Sequence, residues 1–384
     1  MPEVLIAPNS FKECADSVRL THLFHEALKS ELGSKYSIKD WHFIDKPVSD
    51  GGDGFLKVCT ENFHLKEKEI TVSAPFEGEK VKTSYGYSLE NGTVYIESAE
   101  VLGMKLIPKG KRHPLRLSSK GLGEILFHLK EEKLAGRLDV KRAVIGIGGT
   151  GTSDFGIGMC SILGLKLLDK NKNELKPIPE NFLNAESVIW EDPHLGFEVE
   201  AILDVNTPLL GENGAARIFA PQKGASPEEV EILEDGIRNI VGILAKKKST
   251  ENLLGAGGGL AGGLNFFLNA EYKFAREFLK EDLGLDRTKM KPDLIVTGEG
   301  AFDSQSMMQK GVSLILKEFM DTDVPQFICA GKIKDVPSEL KKKNLHFIEI
   351  SAFFNSPVES MRNIEKGILL ASEEILKIYF ANRG

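Results

Sequence analysis

Glycine- and acid-rich clusters recur along the chain, each placed just after a short apolar run that predicts a β-strand. The first three such clusters are residues 7–12, 49–54 and 145–154. In open α/β sheets, ligands bind beyond the carboxyl ends of the strands. The shared position of these clusters therefore predicts a binding or catalytic site that is assembled from several of them.

The first two clusters carry side chains suited to an anion and to proton transfer. Ser10 and Lys12 lie at a strand-to-helix transition, where a hydroxyl and an ammonium suit a phosphate. A capped turn with a solvated lysine is the simpler interpretation. Asp50 and Asp53 flank a glycine turn ahead of an apolar helix. Such an aspartate suits a general base or a magnesium ligand, or it caps the helix.

Residues 145–154 hold three glycines in the spacing G-x-G-x-x-G, after a predicted strand and before a predicted helix. Asp169 follows at about the distance of a ribose-binding acid. The pattern is typical of a dinucleotide-binding turn, so an NAD(P)-dependent oxidoreductase is one alternative. The same turn carries hydroxyls and a carboxylate that suit a polyphosphate and a metal ion: Thr150, Thr152, Ser153 and Asp154.

Three further clusters lie in the second half of the chain. Asp204 ends an apolar strand, a usual position for a metal-binding or basic carboxylate, while Lys223 is more simply interpreted as a solvated lysine. Residues 255–263 are glycine-rich and open a helix, which lets the backbone lie against phosphate or act as a hinge. Glu299 and Asp303 bracket a predicted glycine turn, and two such carboxylates fit magnesium binding, proton transfer or paired helix caps.

Composition and motifs exclude several other classes. The chain has neither a G-x-x-x-x-G-K-[ST] P-loop nor an H-R-D kinase loop. Its four cysteines are far apart, so a zinc site is not expected. A formal net charge of −7 argues against nucleic-acid binding. No apolar run approaches the ~20 residues of a membrane span, and no secretory signal is recognisable, so we expect a cytoplasmic protein.

Strands and helices that would position these clusters alternate at both ends of the chain. Residues 4–7 predict a buried strand, and apolar residues at helical spacing follow from about Ser17 to Leu32. The last hundred residues return to strand–helix alternation. Alternation of this kind predicts a parallel sheet.

The middle of the chain has a different pattern. Residues 69–97 alternate between apolar and polar, and Asn91-Gly92 between two such runs predicts a hairpin. A long amphipathic helix is predicted at about residues 227–245, and residues 170–195 read as a polar surface excursion. We therefore expect an α/β fold with two domains and a cleft between them. Their expected ranges are 1–70 with 288–384 for a Rossmann-like parallel-sheet domain, and 71–287 for an inserted mixed α/β domain.

Taken in order, seven segments resemble the bacterial glycerate kinase family: residues 7–12, 50–54, 96–103, 145–154, 204–224, 255–263 and 297–305. The resemblance runs from residue 4 to the last helix. It implies ATP-dependent phosphorylation of D-glycerate, usually on the 2-hydroxyl, with Mg²⁺. The implied partners are therefore glycerate and ATP, with no nucleic acid and no membrane, and a homodimer stays open.

The resemblance localises the site to these segments, and we assign roles from side-chain chemistry. The catalytic candidates are Asp50, Asp204, Asp303 and Lys12. The candidates for binding substrate or phosphate are Ser10, Gly51, Gly52, Gly148, Gly149, Thr150, Gly151, Thr152, Lys223, Gly257, Gly258 and Lys310. The candidate Mg²⁺ ligands are Asp204, Glu299 and Asp303.

Three single positions and the segment 119–122 depart from the family pattern; in that segment the family has Thr-Tyr-Gly-Thr and this chain has Ser-Lys-Gly-Leu. Ser153 stands where the family usually has asparagine, Ala301 where it has arginine, and Gln309 where it has glycine. Arginine is a natural bidentate partner for a carboxylate or phosphate. A nucleotide- or ligand-binding protein with an altered acceptor or lost activity is therefore the second alternative.

Overall fold

The computed structural model describes residues 1–11, 14–36, 38, 40–303, 306, 311–340 and 342–381. Lys12, Gln309 and Lys310, to which the sequence analysis gives significance, lie outside the described residues. Within the described ranges, no helix combines the length and the hydropathy that a membrane span requires.

Strands and helices alternate along most of the chain. The strands are β1 (Glu3–Ile6), β2 (His42–Asp45), β3 (Lys66–Ser73), β4 (Lys80–Tyr87), β5 (Thr93–Glu97), β6 (Arg142–Gly146), β7 (Lys166–Leu168), β8 (Glu174–Leu175), β9 (Ser187–Ile189), β10 (Glu198–Leu203), β11 (Glu271–Phe274), β12 (Leu294–Phe302), β13 (Gln326–Ile333) and β14 (Leu345–Glu349). The helices are α1 (Ser17–Lys35), α2 (Phe55–Phe63), α3 (Ala99–Leu102), α4 (Lys120–Leu134), α5 (Ile157–Ile162), α6 (Ala215–Phe219), α7 (Pro227–Leu244), α8 (Leu260–Leu268), α9 (Ala275–Glu277), α10 (Gly311–Phe319), α11 (Pro357–Arg362) and α12 (Ile364–Ala381).

Residues Met1–Asp50 and Ala275–Gly384 form one compact unit, called here the terminal unit. Its sheet has the order β14-β13-β12-β1-β2, and every pairing in it is parallel. β1 lies inside the sheet between β12 and β2, which explains why its residues form a continuous apolar run and do not alternate. Apolar residues of α1 and α12 share one core cluster with β1. The expected parallel sheet made from both chain ends is confirmed.

Residues Gly51–Phe274 form the second compact unit, called here the inserted unit. Its main sheet has the order β11-β10-β6-β5-β4-β3. β3, β4 and β5 pair antiparallel, whereas β5, β6, β10 and β11 pair parallel, so the expected mixed α/β architecture is confirmed. Gly92 has a φ of 71°, as the predicted hairpin between β4 and β5 requires.

A small antiparallel sheet has the order β8-β7-β9. β8 and β9 lie in the stretch that the sequence presents as a polar surface excursion, and β7 directly precedes it. Its strands contain only two or three residues, too few for alternation to be recognised. Val188 and Leu167 pair in its register, and both are buried in the core of the inserted unit. The excursion is thus anchored by a short sheet.

The compact units divide the chain at residues 50 and 274, whereas the sequence pattern places the divisions near 70 and 288. At the first division, Phe55 and Phe63 of α2 lie against Tyr95 of β5, with ring centroids 6.5 and 5.1 Å apart. At the second, Arg276 and Lys280 pair with Glu318 of α10 at 3.7 and 3.8 Å. These contacts group α2 with the inserted unit and α9 with the terminal unit.

Candidate active site

Two glycine segments of the inserted unit interlock at the carboxyl end of β6. The Gly148 N–H donates to the Gly51 carbonyl at 2.9 Å. A Cβ on Gly148 would lie 2.5 Å from the Gly52 Cα, and one on Gly146 would lie 2.7 Å from the Gly51 carbonyl oxygen. Only glycine permits this approach, so the turns that precede α2 and follow β6 are fixed against each other by backbone contact.

A third glycine segment, residues 255–259, closes on the same loop. Gly257, Gly258 and Gly259 have φ values of 67°, 71° and 87°, a left-handed run that leads into α8. A Cβ on Gly258 would lie 2.1 Å from the Thr152 carbonyl oxygen. The sequence pattern of these glycines predicts phosphate contact or a hinge, and the structure shows that close packing between loops also requires several of them.

Lys223 is buried in the inserted unit, with 3% of its surface exposed, although the simplest interpretation of the sequence is a solvated lysine. Its Nζ donates to the Thr152 carbonyl at 2.6 Å. Burial lowers the pKa of this lysine to about 7, while the charge of Asp154 acts in the opposite direction. A buried lysine with a strongly perturbed pKa beside a glycine-rich loop is a typical feature of a functional site.

Asp154 is completely enclosed behind the same loop. Its carboxylate accepts hydrogen bonds from the N–H and Oγ of Ser119 at 2.7 and 2.8 Å. It also accepts from the N–H groups of Gly156 and Gly158 at 3.2 and 3.1 Å. Burial raises the pKa of Asp154, and the four donors oppose that rise. The carboxylate therefore ties the loop to the start of α4 and the start of α5.

Asp204 follows β10 directly and is half-buried at the same carboxyl edge as the loop after β6. The chain after it is fixed by a hydrogen bond from the Gly255 N–H to the Thr207 carbonyl at 2.7 Å. The inserted unit thus brings together the predicted residues of the turns after β6 and β10 with those of the glycine segments. They are Gly51, Gly52, Gly148, Gly149, Thr150, Gly151, Thr152, Asp204, Lys223, Gly257 and Gly258.

Glu97 is a buried carboxylate that the sequence analysis did not single out. It ends β5, with 2% of its surface exposed, and accepts from the N–H groups of Gly54 and Leu56 at 3.0 and 3.1 Å. Burial raises its pKa, and these two backbone donors oppose that rise. The sequence signal that could have identified this residue is a glutamate at the end of an apolar strand. From the end of β5, the Glu97 carboxylate holds the glycine turn that precedes α2 in place.

In the terminal unit, the predicted carboxylates Glu299 and Asp303 do not bracket a glycine turn, so that prediction was wrong. β12 continues through Glu299 to Phe302, which pairs with Ile333 of β13. A Cβ on Gly298 would lie 2.0 Å from the Cys329 carbonyl oxygen, so this glycine permits close strand pairing and makes no turn.

Asp303 follows the strand end and is part of a local cap. Its Oδ1 accepts from the Ser306 N–H at 3.2 Å, and its own N–H donates to the Ser306 Oγ at 3.0 Å. Glu299 is buried, with 8% of its surface exposed. Ser10 follows β1, whose extension is joined to β12 by a hydrogen bond from the Asn9 N–H to the Gly298 carbonyl at 2.8 Å. Asp50, half-buried, ends the stretch that follows β2.

Asp169 lacks the position that a dinucleotide site requires. It follows β7 in the small antiparallel sheet, outside the sheet that contains β6. Its carboxylate accepts from the N–H groups of Asn171 and Asn173, both at 2.8 Å, and so shapes an exposed turn. A ribose-binding acid follows the neighbouring parallel strand of a Rossmann sheet. The geometry therefore argues against the oxidoreductase alternative.

The donor groups of the inserted unit fit polyphosphate. Thr152 and Ser153 are buried, and neither side-chain oxygen has a hydrogen-bond partner among the described residues. Leaving such a hydroxyl without a hydrogen-bond partner costs about 1–3 kcal/mol. A hydrogen bond to a ligand oxygen would recover this cost.

Within the described ranges, no three His, Cys, Asp or Glu side chains form a ready metal site. Mg²⁺ in phosphate chemistry usually takes one or two carboxylates together with phosphate oxygens and water, which Asp204 suits.

Comparisons with known proteins give a consistent result. The model of the glycerate kinase family matches residues 4–380. Glycerate 2-kinase of Escherichia coli (strain K12) is 34% identical over 343 residues, which cover 87% of this chain and 86% of the relative. Glycerate kinase of Haemophilus influenzae is 35% identical over 346 residues and covers 86% of both chains. A crystal structure from Salmonella typhimurium LT2, described as a putative glycerate kinase 2, superimposes on this chain with a TM-score of 0.80 at 25% identity. The match covers 100% of this chain and 99% of the chain in that structure.

Proposed function

Because the chain belongs to the glycerate kinase family, we propose that it transfers a phosphoryl group from ATP to D-glycerate, with Mg²⁺. The relatives from E. coli and H. influenzae are named glycerate 2-kinase and glycerate kinase. The first of these names favours the 2-hydroxyl as the acceptor and 2-phosphoglycerate as the product.

One structural observation carries the proposal beyond the family name. The carboxyl edge of β6 and β10 presents glycine backbone, buried hydroxyls, a buried lysine and the carboxylate of Asp204 within one unit. Phosphoryl transfer depends mainly on positioning and on neutralising negative charge. Ammonium, hydroxyl and backbone N–H groups neutralise phosphate oxygens, and a carboxylate holds a cation or accepts a proton. This edge supplies each kind of group.

We assign roles to the residues of this chain as follows. Residues 148–152, Gly257, Gly258 and Lys223 bind phosphate or substrate oxygens. Mg²⁺, when bound, neutralises the charge that develops on the transferred group. The residues that would hold it are Asp204, Glu299 and Asp303. One of Asp50, Asp204 and Asp303 accepts the hydroxyl proton as general base, and the remaining groups that face anions are Ser10, Gly51, Gly52, Lys12 and Lys310.

The decisive experiment measures ADP release by the purified chain with MgATP, with and without D-glycerate, and identifies the phosphoglycerate by NMR. We expect turnover that depends on glycerate and yields the 2-phosphate. Asp204→Asn and Asp303→Asn should each lower kcat at least a hundredfold, about 3 kcal/mol of transition-state stabilisation. Asp169→Asn, which alters a half-buried carboxylate of the turn after β7, is the matched control.

Three outcomes would change the proposal. Normal turnover in both Asp204→Asn and Asp303→Asn would remove the assigned roles while leaving the activity. Binding of MgATP without turnover on any hydroxy acid would favour the second alternative, a ligand-binding protein, and Ala301 and Ser153 would be the first positions to restore. Saturable binding of NADH in a fluorescence titration would revive the oxidoreductase alternative.

A further inference from the structure

Two buried hydroxyls in the inserted unit are paired with nothing in the described part of the chain. Thr152 and Ser153 have 0% and 2% of their surface exposed, and their side-chain oxygens have no hydrogen-bond partner there. Buried hydroxyls in native proteins are nearly always hydrogen-bonded, so two adjacent exceptions require an explanation. A ligand that accepts hydrogen bonds is a direct one.

A positive charge lies behind these hydroxyls. The Nζ of Lys223 donates to the Thr152 carbonyl at 2.6 Å, so the lysine contacts the backbone of the residue that carries the first hydroxyl. A buried ammonium is stabilised by a neighbouring negative charge. The nearby carboxylate, Asp154, already accepts from four donors on Ser119, Gly156 and Gly158. In the described part of the chain, the Lys223 ammonium uses one of its three N–H donors, the one to the Thr152 carbonyl, so it retains capacity for a further anionic partner.

The opposite wall of this turn is built from backbone. A Cβ on Gly258 would lie 2.1 Å from the Thr152 carbonyl oxygen, 2.8 Å from the Lys223 Nζ and 2.8 Å from the Ser153 Cα. The left-handed φ of 71° at Gly258 likewise disfavours any other residue. The absence of a side chain lets the Gly258 backbone lie against the Thr152 carbonyl, the Lys223 Nζ and the Ser153 Cα.

We propose that the hydroxyls of Thr152 and Ser153, with the Lys223 ammonium behind them, form an anion subsite for a single carboxylate or phosphoryl group, and that Asp154 is its positioning residue. The two hydroxyls and the ammonium can each donate a hydrogen bond, which favours an anion over a cation. Asp154 positions the turn through its hydrogen bonds to the starts of α4 and α5, and its negative charge favours the ammonium form of Lys223. Ser153 thereby gains a binding role that the family pattern did not suggest.

The inference rests on the proposed function for the source of the anion, which is either the carboxylate of glycerate or a phosphoryl group of the nucleotide. Binding itself is testable without turnover. Isothermal titration of the full chain with MgATP, with D-glycerate, with glycerol as the neutral analogue and with inorganic phosphate separates these sources. We expect glycerol to show no saturable binding.

The variants Thr152→Val, Ser153→Ala and Lys223→Met remove one group each. We expect each to weaken one anionic probe at least tenfold and to leave the other within twofold. Loss of MgATP and phosphate affinity assigns a phosphoryl subsite, and loss of glycerate affinity assigns a carboxylate subsite. Matched controls are Thr83→Val and Ser372→Ala, which delete hydroxyls of residues that are also buried, with 6% and 0% of their surface exposed, and that also lack a partner among the described residues.

A second measurement separates binding from a structural role. Deleting a hydroxyl that is unpaired in the folded chain should leave the thermal midpoint unchanged or raise it, in Thr152→Val as in Thr83→Val. A hydroxyl that supports the fold would lower it. The inference is overturned if the three variants bind every probe within twofold of wild type, or if wild type binds no anionic probe. If phosphate binding depends on these residues but no turnover occurs, the subsite stands and the kinase proposal fails.

Discussion

Burial of Lys223 makes a quantitative prediction about how stability depends on pH. Burial lowers the pKa of this lysine from its ordinary 10.5 to about 7 in the folded chain. Between these pH values the unfolded chain binds more protons than the folded chain, so stability rises with pH across that window. The cost of burying the charge is fully present below pH 7 and disappears toward pH 10.5. One pKa unit corresponds to about 1.4 kcal/mol, so the whole window is worth roughly 5 kcal/mol.

The variant Lys223→Met keeps the apolar stem and lacks the charge. The free energy of unfolding of Lys223→Met should exceed that of wild type by the largest amount near pH 6.5. By about pH 9 the advantage of the variant should shrink by about 2–3 kcal/mol. Urea unfolding measures this difference. A Trp41→Phe background leaves Trp190 as the chain's single tryptophan, and its indole lies 5.3 Å from the Phe267 ring inside the inserted unit.

The control is Lys343→Met, which removes an exposed ammonium and reports the effect of lost net charge alone. A wild-type minus Lys223→Met difference that stays constant between the two pH values would refute the reasoning. It would mean that contacts within the folded chain, chiefly with Asp154, fully compensate the buried charge.

Three further predictions test the loops and the edge of the sheet. Gly258→Ala should lose several kcal/mol of stability and all turnover, because its Cβ would lie 2.1 Å from the Thr152 carbonyl oxygen. Gly136→Ala is the control, since Gly136 has a similar φ of 66° and open space around it, and it should lose only about 1–2 kcal/mol. Asp204→Asn should raise the Mg²⁺ concentration needed for half-maximal turnover at least tenfold, and equal Mg²⁺ curves for variant and wild type would refute its role as a ligand. Glu97→Gln should keep the fold but lower kcat, because its carboxylate holds two backbone N–H groups of the turn before α2; a kcat within twofold of wild type would contradict this.

Much of the fold could be predicted because local signals and tertiary packing agree. The helix predicted at about residues 227–245 is observed as Pro227–Leu244, and its first turn has a full capping box between Ser226 and Glu229. The apolar strand predicted to end at Asp204 is observed as β10, Glu198–Leu203. In both elements, the residues that favour the structure locally are those that the core buries.

The failures come from glycine and from distant contacts. Gly298 reads as a turn because glycine weakens strands, yet pairing with β13 overrides that preference, and the missing Cβ admits the Cys329 carbonyl. The burial of Lys223 depends on Thr152, 71 residues earlier in the chain, so no local pattern could reveal it. The sequence could therefore indicate which segments form the site, while the partners of each side chain needed the structure.

The place of β1 inside its sheet affects how the chain is made. β1 pairs with β12 in the register Val4↔Leu294, so its second neighbour is translated 290 residues later, about three quarters of the chain. At roughly 5–20 residues per second, a ribosome takes about 15 to 60 s to reach it. The contiguous inserted unit, Gly51–Phe274, is complete before then. During that interval one edge of the apolar strand β1 lacks its partner, which exposes the partly synthesised chain to aggregation.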